Sequence, residues 1–485
     1  KLFCKKIMNN YEIKKICCIG AGYVGGPTMA VIADKCPEIY VDVVDIDQDK
    51  ILKWNSNNLN HLPIYEPGLA EIIKRCRGKN LNFSTEINEK IQNADMIFIS
   101  VNTPTKTKGF GKGKASDLKW VEACARQVGD HAIGHTIVVE KSTLPVRTAE
   151  VIKSILEAKQ FSKKTKNTFE VLSNPEFLSE GTAINDLENP GRVLIGGECS
   201  NAIESLSKIY EHWVPKSKIL CTNVWSSELA KLTANAFLAQ RISSINSISA
   251  LCESTGADVR EVARAIGSDE RIGSKFLDSG PGFGGSCFKK DILNLVYLSE
   301  HFGLPEVAEF WESVVKFNTW HQNRISKLVT LKLHGTLTGK KIAVLGFAFK
   351  ANTNDTRESA AIQICKNLLE EGAILKIHDY KVNEEQITNE LGKFPDSKGL
   401  GEELFKKNEN NWKFIKEIDD AFDNVDAILI LTEWEQYSEL NWKEISQKMR
   451  TPSWVFDARS IVDHSKVLDS GINFWRIGDG SILKS

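Results

Sequence analysis

No stretch of this chain is apolar for long enough to cross a bilayer. The longest apolar runs, such as Ala427-Ile428-Leu429-Ile430-Leu431, are strand-sized and fall well short of the roughly 20 residues a membrane helix needs. An excess of one charge is equally missing, with 62 lysines and arginines against 63 aspartates and glutamates. That balance provides no field for nucleic acid or an anionic membrane surface, so neither is expected as a partner. Disulfide spacing and paired zinc motifs are absent too. The 11 cysteines are odd in number and scattered, which fits a reducing compartment where most thiols are structural, and no metal is expected. Lys1 to Ile7 is basic and slightly apolar but too short for a signal peptide with its cleavage site, so the expected location is the cytosol.

At 485 residues the chain is long enough for two or three domains, each with its own interior. From Ile13 an apolar run reaches Ile19 and enters Gly20-Ala21-Gly22-Tyr23-Val24-Gly25-Gly26, followed by a helical pattern from Pro27 to Ala33. Strand, Gly-x-Gly-x-x-Gly and helix in that order form a dinucleotide fingerprint. The glycines permit a tight turn and bring pyrophosphate to the free N–H groups of the helix N-terminus. A second strand, Tyr40 to Val44, ends at Asp45, where a carboxylate meets the adenosine ribose and repels a 2′-phosphate. This favours NAD over NADP; the competing reading of Asp45 is a solvated strand-end acid.

Two further strands run into polar turns: Asp95 to Val101 into Asn102-Thr103-Pro104-Thr105, and Thr136 to Glu140 into Lys141-Ser142-Thr143-Leu144-Pro145. Hydroxyls and amides at the carboxyl ends of parallel strands either face a ligand crevice or are ordinary turn residues. Lys106 to Lys114, rich in glycine and lysine, reads as a mobile loop. After the strand Phe169 to Ser173 comes Asn174-Pro175-Glu176-Phe177-Leu178-Ser179-Glu180. A helix opening between Ser179 and Ile184 would leave Glu176 at its mouth, either for proton transfer or as a simple cap.

From Ser226 the pattern turns helical and apolar on several sides. Lys231 and Asn235 lie four apart on that helix, hence on one face, and need partners: each other's surroundings or a ligand oxyanion. Then follows Phe283-Gly284-Gly285-Ser286-Cys287-Phe288-Lys289-Lys290-Asp291, a thiol after a run of glycines with two ammoniums and a carboxylate within the next turn. Cys287 is either a reactive thiol or a small apolar residue at a turn. Helices are expected over 292–301 and 305–332. The opening pattern then recurs at Gly339 to Lys350 without the full fingerprint, predicting a second open α/β domain with a different ligand. Lys350, Arg357 and Arg459 supply cations at its strand ends, for a nucleotide diphosphate or for ordinary salt bridges. Asn383 to Asn411 reads as a surface insertion.

Five motifs in order resemble the UDP-glucose/GDP-mannose dehydrogenase family. They are Gly-Ala-Gly-Tyr-Val-Gly-Gly-Pro-Thr from position 20, Asn-Pro-Glu-Phe-Leu from 174, Ser-Glu-Leu-Ala-Lys-Leu-Thr-Ala-Asn from 227, Phe-Gly-Gly-Ser-Cys-Phe-Lys-Lys-Asp from 283 and Gly-Phe-Ala-Phe-Lys from 346. The resemblance implies an α/β protein of two Rossmann-like open parallel-sheet domains joined by a long buried central helix. Its domains would be an NAD-binding domain over 13–222, a central helical and dimerisation region carrying the cysteine loop over 223–335, and a UDP-sugar-binding domain over 336–485. The implied reaction is oxidation of UDP-glucose to UDP-glucuronate by two hydride transfers to NAD. The alternatives are the same chemistry on GDP-mannose or UDP-N-acetylmannosamine, or a non-catalytic nucleotide-sugar or NAD sensor.

Carried over by position, the resemblance makes Cys287 the nucleophile and Lys231 with Asn235 the oxyanion donors. Asp291 would orient the hydrolytic water, and Thr143 and Glu176 would assist proton transfer. The implied NAD contacts are Gly20, Gly22, Tyr23, Val24, Gly25, Asp45, Lys50, Val101, Thr103, Thr105, Ser142, Thr143, Glu180, Lys290 and Arg357. Those for the UDP-sugar are Glu176, Phe177, Leu178, Glu180, Lys231, Asn235, Phe283, Gly284, Phe349, Lys350 and Arg459, with Arg271 donated across a subunit boundary of a homodimer or homohexamer. Two departures are visible: Lys50 stands where the family commonly has arginine, and Leu59-Asn60-His61 lengthens the turn before Pro63.

Overall fold

The computed structural model describes residues 11–142, 147–163, 166–392 and 411–481. The chain divides into two compact units. The first comprises Lys1–Ala234 with Leu293–Ala308, the second Asn235–Ile292 with Glu309–Ser485.

The first unit is built on a sheet of eight strands: β1 (Lys15–Ile19), β2 (Tyr40–Val44), β3 (Leu81–Ser84), β4 (Met96–Ile99), β5 (His135–Glu140), β6 (Thr168–Ser173), β7 (Val193–Gly196) and β8 (Ile219–Thr222). Their spatial order is β3-β2-β1-β4-β5-β6-β7-β8. Strands β1 to β6 run parallel, and β7 meets β6 antiparallel at Ser173 and Gly196 only. Parallel strands are covered by helices on both faces, which is why β4 is apolar at every position and wholly buried. The fingerprint helix Gly25–Lys35 buries its first nine residues against this sheet.

The second unit has six parallel strands: β9 (Lys341–Leu345), β10 (Ile374–His378), β11 (Trp412–Phe414), β12 (Ala427–Ile430), β13 (Trp454–Asp457) and β14 (Asn473–Arg476). Their order, β11-β10-β9-β12-β13-β14, repeats that of the first six strands of the other sheet. Both therefore reverse direction of winding beside their first strand, at β1/β4 and β9/β12, where ligands bind in doubly wound sheets.

The repetition reaches individual atoms. Gly20 follows β1 with φ +111°, and a Cβ there would lie 2.2 Å from the Ser100 carbonyl oxygen; Gly346 follows β9 with φ +95°, and its Cβ would lie 2.3 Å from the Thr432 side chain. Asp45 accepts the Ala21 N–H at 2.9 Å, and Asp379 accepts those of Phe347 and Ala348 at 2.7 and 3.0 Å. Each acid pins the turn after the first strand of its sheet.

The long helices Val224–Thr255 and Pro305–Lys332 form as the apolar spacing predicts. The helix expected from Ile292 begins earlier, at Phe288, so Lys289, Lys290 and Asp291 form its first turn. The helix expected between Ser179 and Ile184 begins only at Ala183, which leaves Glu176 in chain without regular secondary structure rather than at a helix mouth. Of the expected insertion Asn383 to Asn411, Glu384–Leu391 is helical with a capping box at Asn383 and Gln386, while residues 393–410 lie outside the described residues.

Candidate functional site

In the first unit the fingerprint turn is held from three sides. Asp45 takes the Ala21 N–H, Trp54 donates its indole N–H to the Ala21 carbonyl at 3.0 Å, and a Cβ on Gly25 would come within 2.1 Å of the Gly20 carbonyl oxygen. Gly22 differs, since a Cβ there meets no atom of the described residues within 4 Å. None of those residues therefore requires glycine by packing there, and the position lies just before the Gly25–Lys35 helix, whose N-terminus suits an anion. Tyr23 and Val24 lie between them, half-buried. Asp45 also accepts from the Asp47 N–H at 3.0 Å and pairs with Lys50 at 3.0 Å, so Lys50 keeps the charge that an arginine would bring.

Thr103 is buried beyond β4, with Val101 and Thr105 half-buried on either side. Ser142 donates to the carbonyls of Val101 and Ile99 at 2.9 and 3.3 Å, tying the end of β5 to the turn after β4. Thr143 lies outside the described residues. The segment read as a mobile loop is folded into turns: Lys106 N–H reaches Ala115, Gly113 N–H reaches Lys106, and Lys114 pairs with Glu300 at 2.6 Å.

Glu176 and Lys231 form a buried ion pair. The ammonium stands 3.1 Å from each carboxylate oxygen, with side chains only 3% and 5% exposed. The Leu178 N–H adds a bond to Glu176 at 2.9 Å, and Phe177 lies beneath the Lys231 ammonium at 5.5 Å. Sequence reasoning singled out Glu176 and Lys231 but not their pairing. Glu180 is half-buried beyond them.

In the second unit Cys287 is half-buried, its sulfur 3.4 Å from the Ser286 hydroxyl. Its carbonyl accepts the Asp291 N–H at 2.8 Å, which sets the thiol at the N-terminus of the Phe288–His301 helix. Partial positive charge gathers at such a helix end. Elsewhere burial pushes the thiols of Cys76 up to about 11 and of Cys36 and Cys124 up to about 12. Asn235 donates its amide to Asp291 at 2.6 Å, and both side chains are buried. Lys290 is half-buried on the same turn, and Lys289 pairs with Glu358 at 2.9 Å.

The glycine-rich approach to Cys287 is clamped by residues that sequence reasoning missed. Asn246 accepts the Gly280 N–H at 2.9 Å and His321 contacts the Gly280 carbonyl at 2.9 Å. Asn318 accepts the Phe283 N–H at 2.9 Å and donates to its carbonyl at 3.1 Å. Burial depresses His321 to about 4, so the ring is neutral and its Nε2–H is the donor. The available signal was polar side chains interrupting apolar helix spacing. Gly282, with φ +126°, could carry no Cβ beside Asn318, and one on Gly284 would lie 2.5 Å from the Glu358 carbonyl oxygen.

Around the second switch point Arg459 donates to the carbonyls of Leu431 and Phe349, both at 2.8 Å, and pairs with Glu433 at 3.1 Å. Lys350 lies 5.6 Å from the Phe349 ring. Arg357 makes a two-pronged pair with Asp355 at 2.8 and 2.7 Å, while its carbonyl accepts the Gly285 N–H at 2.9 Å. Arg271 is 90% exposed and paired with Asp269 at 2.6 Å.

One further acid had no sequence signal. Glu228, one turn before Lys231, accepts the N–H groups of Arg147 and Ala149 at 2.7 and 2.9 Å and so fastens the Thr148–Lys163 helix. Burial pushes its carboxyl up to about 7, and burial beside Glu228 pushes Glu140 up as well.

Three family models match the chain in succession. They are the NAD binding domain of the UDP-glucose/GDP-mannose dehydrogenase family over residues 14–214, its central domain over 225–320 and its UDP binding domain over 343–464. A Bos taurus protein described as UDP-glucose 6-dehydrogenase is 55% identical, across 96% of this chain and 94% of its own length. A Drosophila melanogaster protein of the same description is 54% identical across 96% of each. Among solved structures, a UDP-glucose dehydrogenase from Pyrobaculum islandicum superposes with a TM-score of 0.82 at 29% identity, covering 97% of this chain and 99% of that one.

Proposed function

Since this chain belongs to the UDP-glucose/GDP-mannose dehydrogenase family, we propose that it oxidises UDP-glucose at C6 to UDP-glucuronate, with Cys287 as the covalent nucleophile of the second oxidation. It is an NAD-dependent dehydrogenase. The sugar is chosen on the relatives described as UDP-glucose 6-dehydrogenase, which share more than half of this chain's residues. One observation carries the mechanism: Cys287 is a half-buried thiol at a helix N-terminus, in a loop whose backbone is clamped by buried side chains.

NAD fits the first unit on the evidence of Gly22, whose missing Cβ leaves space that no atom of the described residues fills. Gly20 to Gly25 would hold its phosphates and Asp45 its ribose hydroxyls, and when bound it supplies the hydride acceptor for both oxidations. Removal of hydride and proton from the C6 alcohol leaves an aldehyde, which does not readily release a second hydride until its carbon is made tetrahedral. The Cys287 thiolate adds to that carbon, and the resulting oxyanion is the charge that the Lys231 ammonium and Asn235 amide are assigned to meet. Loss of hydride from this thiohemiacetal gives a thioester. Water, oriented by Asp291, cleaves the thioester, releasing a carboxylate and restoring the thiolate. Glu176 and Thr143 are assigned to the protons that leave the alcohol and the water.

Apolar side chains exposed on the two long helices of the second unit, among them Phe237, Leu251, Phe310 and Trp320, support assembly into a homo-oligomer, with the exposed Arg271 reaching a neighbouring subunit. No helix among the described residues is long and apolar enough to cross a membrane.

The test is Cys287→Ser, which keeps the shape of the loop but places an alcohol where a thiolate is needed. The variant is expected to bind UDP-glucose as the wild type does and to fail to complete turnover. A wild-type steady-state NADH yield from it refutes the covalent route.

A further inference from the structure

Lys141, which the chemistry above does not use, is buried directly after β5 and is only 4% exposed. Its ammonium stands 3.0 Å from the Asn174 side-chain oxygen and 3.3 Å from the Tyr210 hydroxyl, 5.8 Å from the centre of that ring. Both acceptors are neutral, and among the described residues no carboxylate lies within ion-pair distance of the ammonium. A charge kept out of water without a counter-ion is costly. A lysine here, in place of an apolar side chain of the same length, therefore calls for an account.

The account lies in Asn174. The Tyr210 hydroxyl donates to the same Asn174 oxygen at 2.6 Å, the Asn174 amide donates to the Leu194 carbonyl at 2.8 Å, and the Asn174 N–H donates to the Glu140 carbonyl at 2.8 Å. Asn174 is thereby held at once from β5, from β7 and from the Ser200–Glu211 helix that carries Tyr210. Beyond it the chain to Leu178 has no regular secondary structure, so no strand or helix continues the hold. Pro175 comes next; its ring locks its own φ at about −65° and steers Asn174 away from helical backbone. Glu176 thus stands two residues past a fixed amide, at the end of a stiff arm. Lys141, Asn174, Glu176 and Tyr210 all border one cavity of about 120 Å³, which leaves the arm room to shift on that side, so the bonds to Asn174 decide where it rests.

We propose that Lys141 is a positioning residue for the oxidation: through Asn174 it holds the Glu176 carboxylate in the place where that group moves a proton. The proposal rests on the proton role given to Glu176 above. A charged donor makes the stronger bond to the amide oxygen, which a neutral side chain of the same length does not replace. The same ammonium follows the end of β5, where its own N–H donates to the Ile99 carbonyl at 3.0 Å, so the arm is referred to the middle of the sheet and not to a loop.

The test is kcat at saturating UDP-glucose and NAD, per folded protein, in the full chain carrying Lys141→Met, Glu176→Gln or both. A misplacement of about 1 Å costs on the order of 10² in rate, so Lys141→Met is expected to lose about that factor in kcat while its affinity for NAD stays within about twofold of wild type. In the Glu176→Gln background the same substitution is expected to cost little more, since residues that act as a unit lose their effect once. A lysine needed only for packing behaves otherwise, and its loss multiplies with that of Glu176→Gln. Multiplying losses, or wild-type kcat in Lys141→Met, overturn the proposal. Wild-type kcat in Glu176→Gln is a different failure, that of the proton role of Glu176. Should Lys141→Met fail to fold, Tyr210→Phe decides, because it removes a single hydroxyl from the same amide oxygen. A loss of about three- to tenfold in kcat, confined to chains that keep Glu176, is expected from it, and no loss overturns the proposal.

Discussion

Lys231→Met is the substitution whose consequences follow most directly from the geometry. In the native chain the ammonium lies 3.1 Å from both oxygens of Glu176, and neither side chain is more than 5% exposed. Methionine keeps the length of the side chain and removes its charge, leaving a carboxylate desolvated without its counter-ion. Breaking a buried pair from one side costs about 3–5 kcal/mol, whereas removing both partners together is often close to neutral. Lys231→Met and Glu176→Gln should each destabilise strongly, and the double variant should recover most of the loss. For a unit of this size, about 2–4 °C of melting temperature accompanies each kcal/mol. Chemical denaturation of the four proteins completes a double-mutant cycle, with a coupling of about 2 kcal/mol or more expected. Additivity within about 0.5 kcal/mol would show that the two charges do not depend on each other and refute the reasoning. If Lys231 is also an oxyanion donor, turnover in Lys231→Met falls by about 10²–10³, beyond what unfolding explains.

Glycine substitutions separate cofactor space from packing. Gly22→Ala adds a methyl that meets no atom of the described residues within 4 Å, so it should weaken NAD binding while leaving the melting temperature near wild type; Gly25→Ala drives a methyl to 2.1 Å from the Gly20 carbonyl oxygen and should lower stability even without cofactor. Equal loss of stability in both, measured by calorimetry, contradicts the assignment of Gly22 to the ligand. Glu228, raised to about 7 from an ordinary 4.5, holds a proton in the folded chain that the unfolded chain has already lost between those values. Stability should therefore fall as pH rises through that window and level off above it, by on the order of 3 kcal/mol from this group. Glu228→Gln should flatten the slope of denaturation midpoint against pH, and an unchanged slope removes Glu228 as its source.

Much of the fold could be read from residues because local chemistry dictates it. Gly20, Gly22 and Gly25 behind an apolar strand admit few structures, and Asp45 at the end of β2 follows from them. The second sheet was legible from the recurrence of strand spacing, although only the folded turn shows Asp379 and Gly346 repeating Asp45 and Gly20. What stayed hidden depends on contacts distant in sequence. Nothing near Lys231 announces Glu176, 55 residues away, and Asn235 gives no hint of Asp291, 56 away. Asn246, Asn318 and His321 interrupt apolar helix spacing, and only the Gly280–Phe283 backbone bonded to them gives the reason. The helix expected from Ile292 begins at Phe288 for a local reason: the glycine run up to Gly285 masks where the helix beyond it starts.

A carbon taken from alcohol to carboxylate at one active cysteine must surrender two hydrides before product leaves. The most direct measurement is the amount of NADH formed for each UDP-glucose consumed, with the sugar product identified in the same reaction. Two NADH per sugar, with UDP-glucuronate as the product and no free aldehyde, is the predicted result. One NADH per sugar with accumulating aldehyde, or no NADH at all from UDP-glucose, would contradict it.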